Sequence, residues 1–313
     1  MIDLTTAEWL PLAHDWDSRM VQLVRTTPKE YGLHYKVLND MVESGELEDH
    51  HVHYNDLPEI PYRKTLYIMH LAYGGSTLIS RMLDLEHTFL STIESPIHSG
   101  GRWDGLDKMS RLFSRVFTHE IPVIKTIPTE IRHIDDYLDR DKDNQIILFH
   151  QTLENFIISC FNKGSDRRRK AVMHFRSYMG DKDYMEPLSD EDAVKLFINY
   201  WTSMMSCYKA AIDSDTDRVI GLRSEDFFTD PVWYMEQVAL RVGVVLNEEE
   251  LEHMDKQTKV HSKWGTSFSE SDRIKQKEEA LELARPHLEK HREEIDELDK
   301  QFRFPDSKVI LKS

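Results

Sequence analysis

The chain has 313 residues, with 56 acidic against 40 basic side chains and a formal charge of −16. Such a length suits one large α/β domain or two small ones and is enough to bury a substantial core. The charge argues against a general nucleic-acid binder, because neutralising phosphates takes a clustered basic surface. An acidic protein that binds an anion must therefore gather its cations locally. No run approaches the ~20 apolar residues of a membrane span. The opening "MIDLTTAEWLPLAHDWD" lacks the basic start and apolar centre of a secretion signal. Cys160 and Cys207 each sit in an apolar helical pattern and read as buried thiols. The expectation is a soluble, cytoplasmic protein with no nucleic-acid or membrane partner.

In chain order, residues 1–60 read as a polar helical extension packed on a main domain of 61–313, with Trp9, Leu10, Leu12 and Trp16 as its apolar stripe. Within it, "EDHHVHYND" (48–56) places His51 and His53 on one face if it is a strand, but lacks the spacing of a recognisable zinc site, so no metal is expected. From Lys64 strands and helices alternate, which predicts α/β architecture: one domain with a central parallel sheet flanked by helices. The strands are "TLYIMHL" (65–71), "TFLST" (88–92), "PVIKTI" (122–127), "QIILFHQ" (145–151) and "RVIGLRS" (218–224). Helical runs fall at 77–86, 129–139, 153–163, 189–213 and 231–242, the last capped by Asp230, opened by Pro231 and ended by Gly243. Residues 164–188 break this rhythm and read as an insertion or lid. Their basic run "DRRRK" (166–170) reads either as a solvated loop or as cations reaching back to a site. The charged stretch 269–303 carries Leu281, Leu288, Ile295, Leu298 and Phe302 at near-heptad spacing, a docked surface helix entered again at Pro286.

The joint after the first sheet strand, "YGGSTLI" (73–79), carries the chemistry. Glycines there let backbone N–H groups approach a ligand, and Ser76 and Thr77 add hydroxyl donors, a combination suited to phosphate. A tight turn with a Ser/Thr cap is the plainer alternative. A nucleoside-triphosphate loop needs Gly-x-x-x-x-Gly-Lys-Ser/Thr, and position 76 is serine where that lysine would stand. His70, inside the strand, reads as a satisfied core histidine.

The strand–x-x-Gly-Ser/Thr-Thr-Leu–helix pattern resembles the sulfotransferases that use 3'-phosphoadenosine-5'-phosphosulfate. Tyr73 stands where their loop has a basic residue. The similarity extends over roughly 64–268 through "LDLEHTFLSTIESP" (83–96), "VIKTIP" (123–128), "QTLENFIISCFNK" (151–163), "GLRSEDFFTDP" (221–231) and "HSKWGTSF" (261–268). In spacing it is nearest the tyrosylprotein sulfotransferase type. The resemblance implies a P-loop-like sheet and a bound co-substrate, with no metal. It implies Glu94 as base and Lys125 as support for the transferring sulfuryl group. Tyr73, Gly74, Gly75, Ser76, Thr77 and Leu78 would form the 5'-phosphosulfate loop. Gln151, in place of an arginine, with Ser159 and Lys163 would form the 3'-phosphate segment, joined by Arg223 and by Lys263 on a late basic loop. Each residue also has a plain reading: Glu94 as a cap or ion pair, Lys125 as a snorkelling sheet-edge lysine, Ser159 as a core serine, Arg223 as a partner of Glu225 and Asp226. The acceptor is expected to be a small molecule or a peptide. A non-catalytic binding protein of the same fold, motivated by Tyr73 and Gln151, and less readily a phosphotransferase, are the alternatives.

Overall fold

The computed structural model describes residues 3–15, 17–31, 33, 35–92, 103–162, 164–214, 217–260 and 270–304. Its centre is a five-stranded parallel sheet: β4 (Leu66–His70), β5 (Phe89–Thr92), β6 (Ile121–Lys125), β7 (Gln145–His150) and β8 (Val219–Arg223), ordered β5-β6-β4-β7-β8. All five residues of β4 are buried. Leu66 and Ile68 join the core on one face with Ile79, Met235 and Met254, while Tyr67 and Met69 join the other with Phe156, Trp201 and Tyr208. A sheet covered on both faces demands such unbroken apolar runs, which is why these strands are legible without alternation. The chain leaves β4 toward β5 and β6 on one side, then crosses to β7 and β8 on the other. This reversal opens a crevice at the carboxyl ends beside β4, where ligands of open α/β sheets bind.

The N-terminal segment corrects the helical expectation. It is an antiparallel meander of β1 (Trp9–Asp15), β2 (Met20–Arg25) and β3 (Asp49–His53), with α-helices at Pro28–Tyr31 and Tyr35–Glu43 and a short 3-10 helix at Tyr54–Asp56. Pro11 is the physical reason: it would break a helix interior, whereas here it sits at a shift of register between β1 and β2. Trp16 lies outside the described residues. The apolar side chains of the meander merge with the core under Tyr67. The buried Arg115 helps hold it there, donating to the carbonyls of Leu4 (3.2 Å), Leu112 (2.7 Å) and Trp9. His51 and His53 lie on β3, at the sheet edge, and His53 Nδ1 accepts from the Asn55 amide at 3.2 Å. Among the described residues no cluster of His, Cys, Asp or Glu has a metal-site arrangement, and no helix is long and apolar enough to cross a membrane.

Two further expectations change. The stretch 164–188 opens with a 14-residue helix, Ser165–Tyr178, that buries only Ala171, Val172 and Phe175. So thin a stripe is hard to recognise among Arg and Lys. The C-terminal helix Glu270–Lys290 runs through Pro286, and the second, Arg292–Gln301, begins after His291. Ala280, Ala284, Leu288, Ile295 and Phe302 bury against the core, so this pair is docked as expected although its break falls later.

Candidate anion-binding site

The loop between β4 and the helix Ser76–Met82 is strained in a way only a few residue types tolerate. Ala72 (φ 28°), Tyr73 (φ 59°) and Gly75 (φ 96°) are left-handed within four residues. For the two non-glycines this costs about 1–3 kcal/mol each, strain of a kind that clusters at ligand clamps. Its effect is to turn successive amides outward. Leu78 N–H bonds to Gly75 O at 2.8 Å, but among the described residues the amides of Gly74, Gly75, Ser76 and Thr77 have no protein acceptor. Such a concavity of N–H groups binds anions.

Packing explains Gly75 but not Gly74, whose Cβ would make an ordinary van der Waals contact. A Cβ on Gly75 would stand 2.7 Å from the Phe228 ring, and one on Gly74 would stand 3.4 Å from the Phe149 ring. Phe228 follows β8 and lies close over the loop, in the "SEDFF" turn of the sequence. The loop forms one wall of a cavity of about 510 Å³. Gln151, Ser159 and Asn155 come to it from the end of β7 and the helix Leu153–Phe161. Ser224, Glu225 and Phe228 come from the end of β8, and Ile274, Lys277 and Ala280 from the C-terminal helix.

The fold thus brings Tyr73, Gly74, Gly75, Leu78, Gln151 and Ser159 to one cavity. Ser76 and Thr77 continue the loop as the first residues of its helix. Gln151 is buried, reaches the Ala72 carbonyl at 3.5 Å and accepts from Ser159 Oγ at 3.3 Å, bracing the loop against the helix. Lys125 is 2% exposed at the carboxyl end of β6, in register with Ile68 of β4. It therefore lies beside the strand that leads into the loop. Arg223 is placed differently: its guanidinium donates to Asp226 at 2.6 Å, and it borders a smaller cavity near His150 and Phe304 rather than the large one. Burial, then the Arg223 charge, pushes the His150 pKa down to about 3, so this imidazole is neutral. His70 is buried, with Nε2 3.0 Å from the Thr126 carbonyl. Glu94, Lys163 and Lys263 lie outside the described residues.

Three features of the site go beyond the sequence reading. Glu225 accepts from the Thr152 amide (3.1 Å), the Thr152 hydroxyl (3.0 Å) and Asn155 Nδ2, tying the end of β8 to the start of the next helix over. With Ser224 Oγ at 3.3 Å as a fourth donor, this carboxylate is a structural clamp: Glu225→Ala should lower the unfolding free energy by about 2–3 kcal/mol, read from urea denaturation at unchanged slope. Lys277 is the cation among the described lining residues. No sequence signal marks it, since its neighbours Lys275, Gln276, Glu278 and Glu279 are those of a solvated helix. The third is the covering of Tyr73. Its ring carries the Arg167 guanidinium 4.1 Å from the centroid, its edge meets Phe175 at 5.9 Å, and its hydroxyl lies 3.4 Å from His174 Nδ1.

No family model and no curated protein matches the chain in sequence. Solved structures similar to it include mouse sulfotransferase SULT7A1 complexed with PAP, 14% identical, covering 81% of this chain and 90% of that one at a TM-score of 0.48. The sulfotransferase domain from the curacin biosynthetic pathway is 14% identical, with 69% and 87% covered and a TM-score of 0.44. Sulfotransferase STF1 from Mycobacterium tuberculosis H37Rv is 10% identical, with 82% and 80% covered and a TM-score of 0.45. At these values nothing about the site follows from them.

Proposed function

We propose that the chain transfers a sulfuryl group from 3'-phosphoadenosine-5'-phosphosulfate to a hydroxyl, phenol or amine. One observation supports this most: four consecutive amides, Gly74 to Thr77, without protein acceptors among the described residues, at the mouth of a nucleotide-sized cavity beside the central strand. In this reading those amides, with the Ser76 and Thr77 hydroxyls, hold the phosphosulfate end. Ser159, Gln151 and Lys277 face the rest of the nucleotide, joined by Lys163 and Lys263. The bond between sulfur and the bridging phosphate oxygen breaks as a bond from sulfur to the acceptor atom forms. Glu94 takes the acceptor proton, Lys125 stabilises charge on the moving group, and adenosine 3',5'-bisphosphate leaves.

Calorimetry with adenosine 3',5'-bisphosphate is expected to show binding below millimolar concentration, and labelled co-substrate is expected to give sulfated product from a panel of alcohols, phenols, amines and tyrosine peptides. No binding at millimolar concentration sinks the reading. A second reading, ligand binding without catalysis, is favoured by the sparse charge: among the described lining residues Lys277 faces the cavity alone as a cation, opposite Glu225. Binding without any sulfated product would select it.

A further inference from the structure

We propose that Arg167, on the inserted helix Ser165–Tyr178, supplies the 5' end of the anionic ligand with the positive charge that the loop lacks at Tyr73; this deepens the sulfuryl-transfer reading and rests on it. The loop's one aromatic, Tyr73, borders the cavity and is gripped by a single face of that helix: Arg167 over its ring, His174 at its hydroxyl and Phe175 at its edge. Positions 174 and 175 lie about two turns beyond 167, so one side of the helix is turned to this residue.

Partial burial without a carboxylate sets Arg167 apart from the other arginines of its helix, of which Arg169 is exposed. Arg168 is bound to Asp190 at 2.9 Å, and Arg176 to Asp181 at 2.5 Å and to the Glu186 carbonyl at 2.7 Å. Arg167, in a chain with 56 carboxylates, has no carboxylate partner among the described residues, and its buried Nε has no hydrogen-bond partner. A guanidinium stacked on an aromatic face is held in place through its π surface while its N–H groups stay in its own plane, and with Nε buried the two terminal nitrogens are the ones left to receive an anion. Tyr73 thus acts as a platform: the charge usual in the loop itself comes instead from a helix packed upon it.

The test is calorimetry with two probes, adenosine 5'-monophosphate and adenosine 3',5'-bisphosphate, on wild type, Arg167→Gln and Arg167→Lys, with thermal midpoints measured without ligand. Losing one charged hydrogen bond to phosphate is expected to weaken both probes by the same factor, about 10–100-fold. Arg167→Lys should recover part of that loss, and the ligand-free midpoints should stay together. Affinities in Arg167→Gln within about twofold of wild type overturn the proposal and leave the sulfuryl reading standing. So does a loss confined to the bisphosphate, which would place Arg167 at the 3' end, and so does an Arg167→Lys variant as weak as Arg167→Gln, which would make the effect one of packing on Tyr73. A wild type that binds neither probe at millimolar concentration removes the reading itself and the proposal with it.

Discussion

Lys125→Met is expected to lower the rate of sulfuryl transfer by about 10²–10³, the usual effect of removing one donor aimed at charge that develops in a transition state. The residue ends β6 beside β4 and is 2% exposed, so its charge acts where water screens it little. Methionine keeps the apolar stem and removes only the ammonium group. Binding of adenosine 3',5'-bisphosphate should change far less, by under about tenfold, because the product lacks the moving group that Lys125 serves. Rate and affinity must therefore separate. A variant that turns over at the wild-type rate denies Lys125 the role, and one that loses both equally makes it a general anion contact.

Gly75→Ala should remove ligand binding and destabilise the fold together. The backbone there has φ 96°, a conformation that costs an L side chain about 1–2 kcal/mol. A methyl group would also meet Phe228 at 2.7 Å, closer than any tolerated contact, so either the ring or the loop must move. Displacing the loop re-aims the amides that follow it, and affinity for adenosine 3',5'-bisphosphate should fall by about 100-fold or more, equivalent to losing one or two charged hydrogen bonds. The double variant Gly75→Ala/Phe228→Ala separates the causes. It should regain part of the affinity if the clash displaces the loop, and none if the left-handed backbone alone decides. A single variant that binds like wild type would mean that the loop is not the anion cradle.

The central sheet and the glycine loop were both open to a reading of residue types. "TLYIMHL", "QIILFHQ" and "RVIGLRS" are unbroken apolar runs of strand length, and burial on two faces requires nothing more subtle. The joint at residues 73–77 could be singled out because few sequences place two glycines and two hydroxyls between a strand and a helix. The N-terminal meander was misread for the complementary reason. "WLPLA" says that it is buried but carries no period, and only Pro11 opposed a helix. The inserted helix carries little periodic signal because its buried stripe is only Ala171, Val172 and Phe175.

The cavity's charge could not be read in the same way. Lys277, which lines the cavity, and Arg167, which lies over the Tyr73 ring, come 204 and 94 positions after Tyr73, each on a helix whose composition marks it as solvated surface, and Arg223, which the motif pointed to, turned to Asp226. A short apolar run or a glycine turn encodes its own conformation through local sterics and solvation, so sequence alone determined the strands and the loop. Which cation faces that loop depends on how distant helices dock and which carboxylates they meet on the way. Those are long-range pairings, and only the tertiary structure decided them.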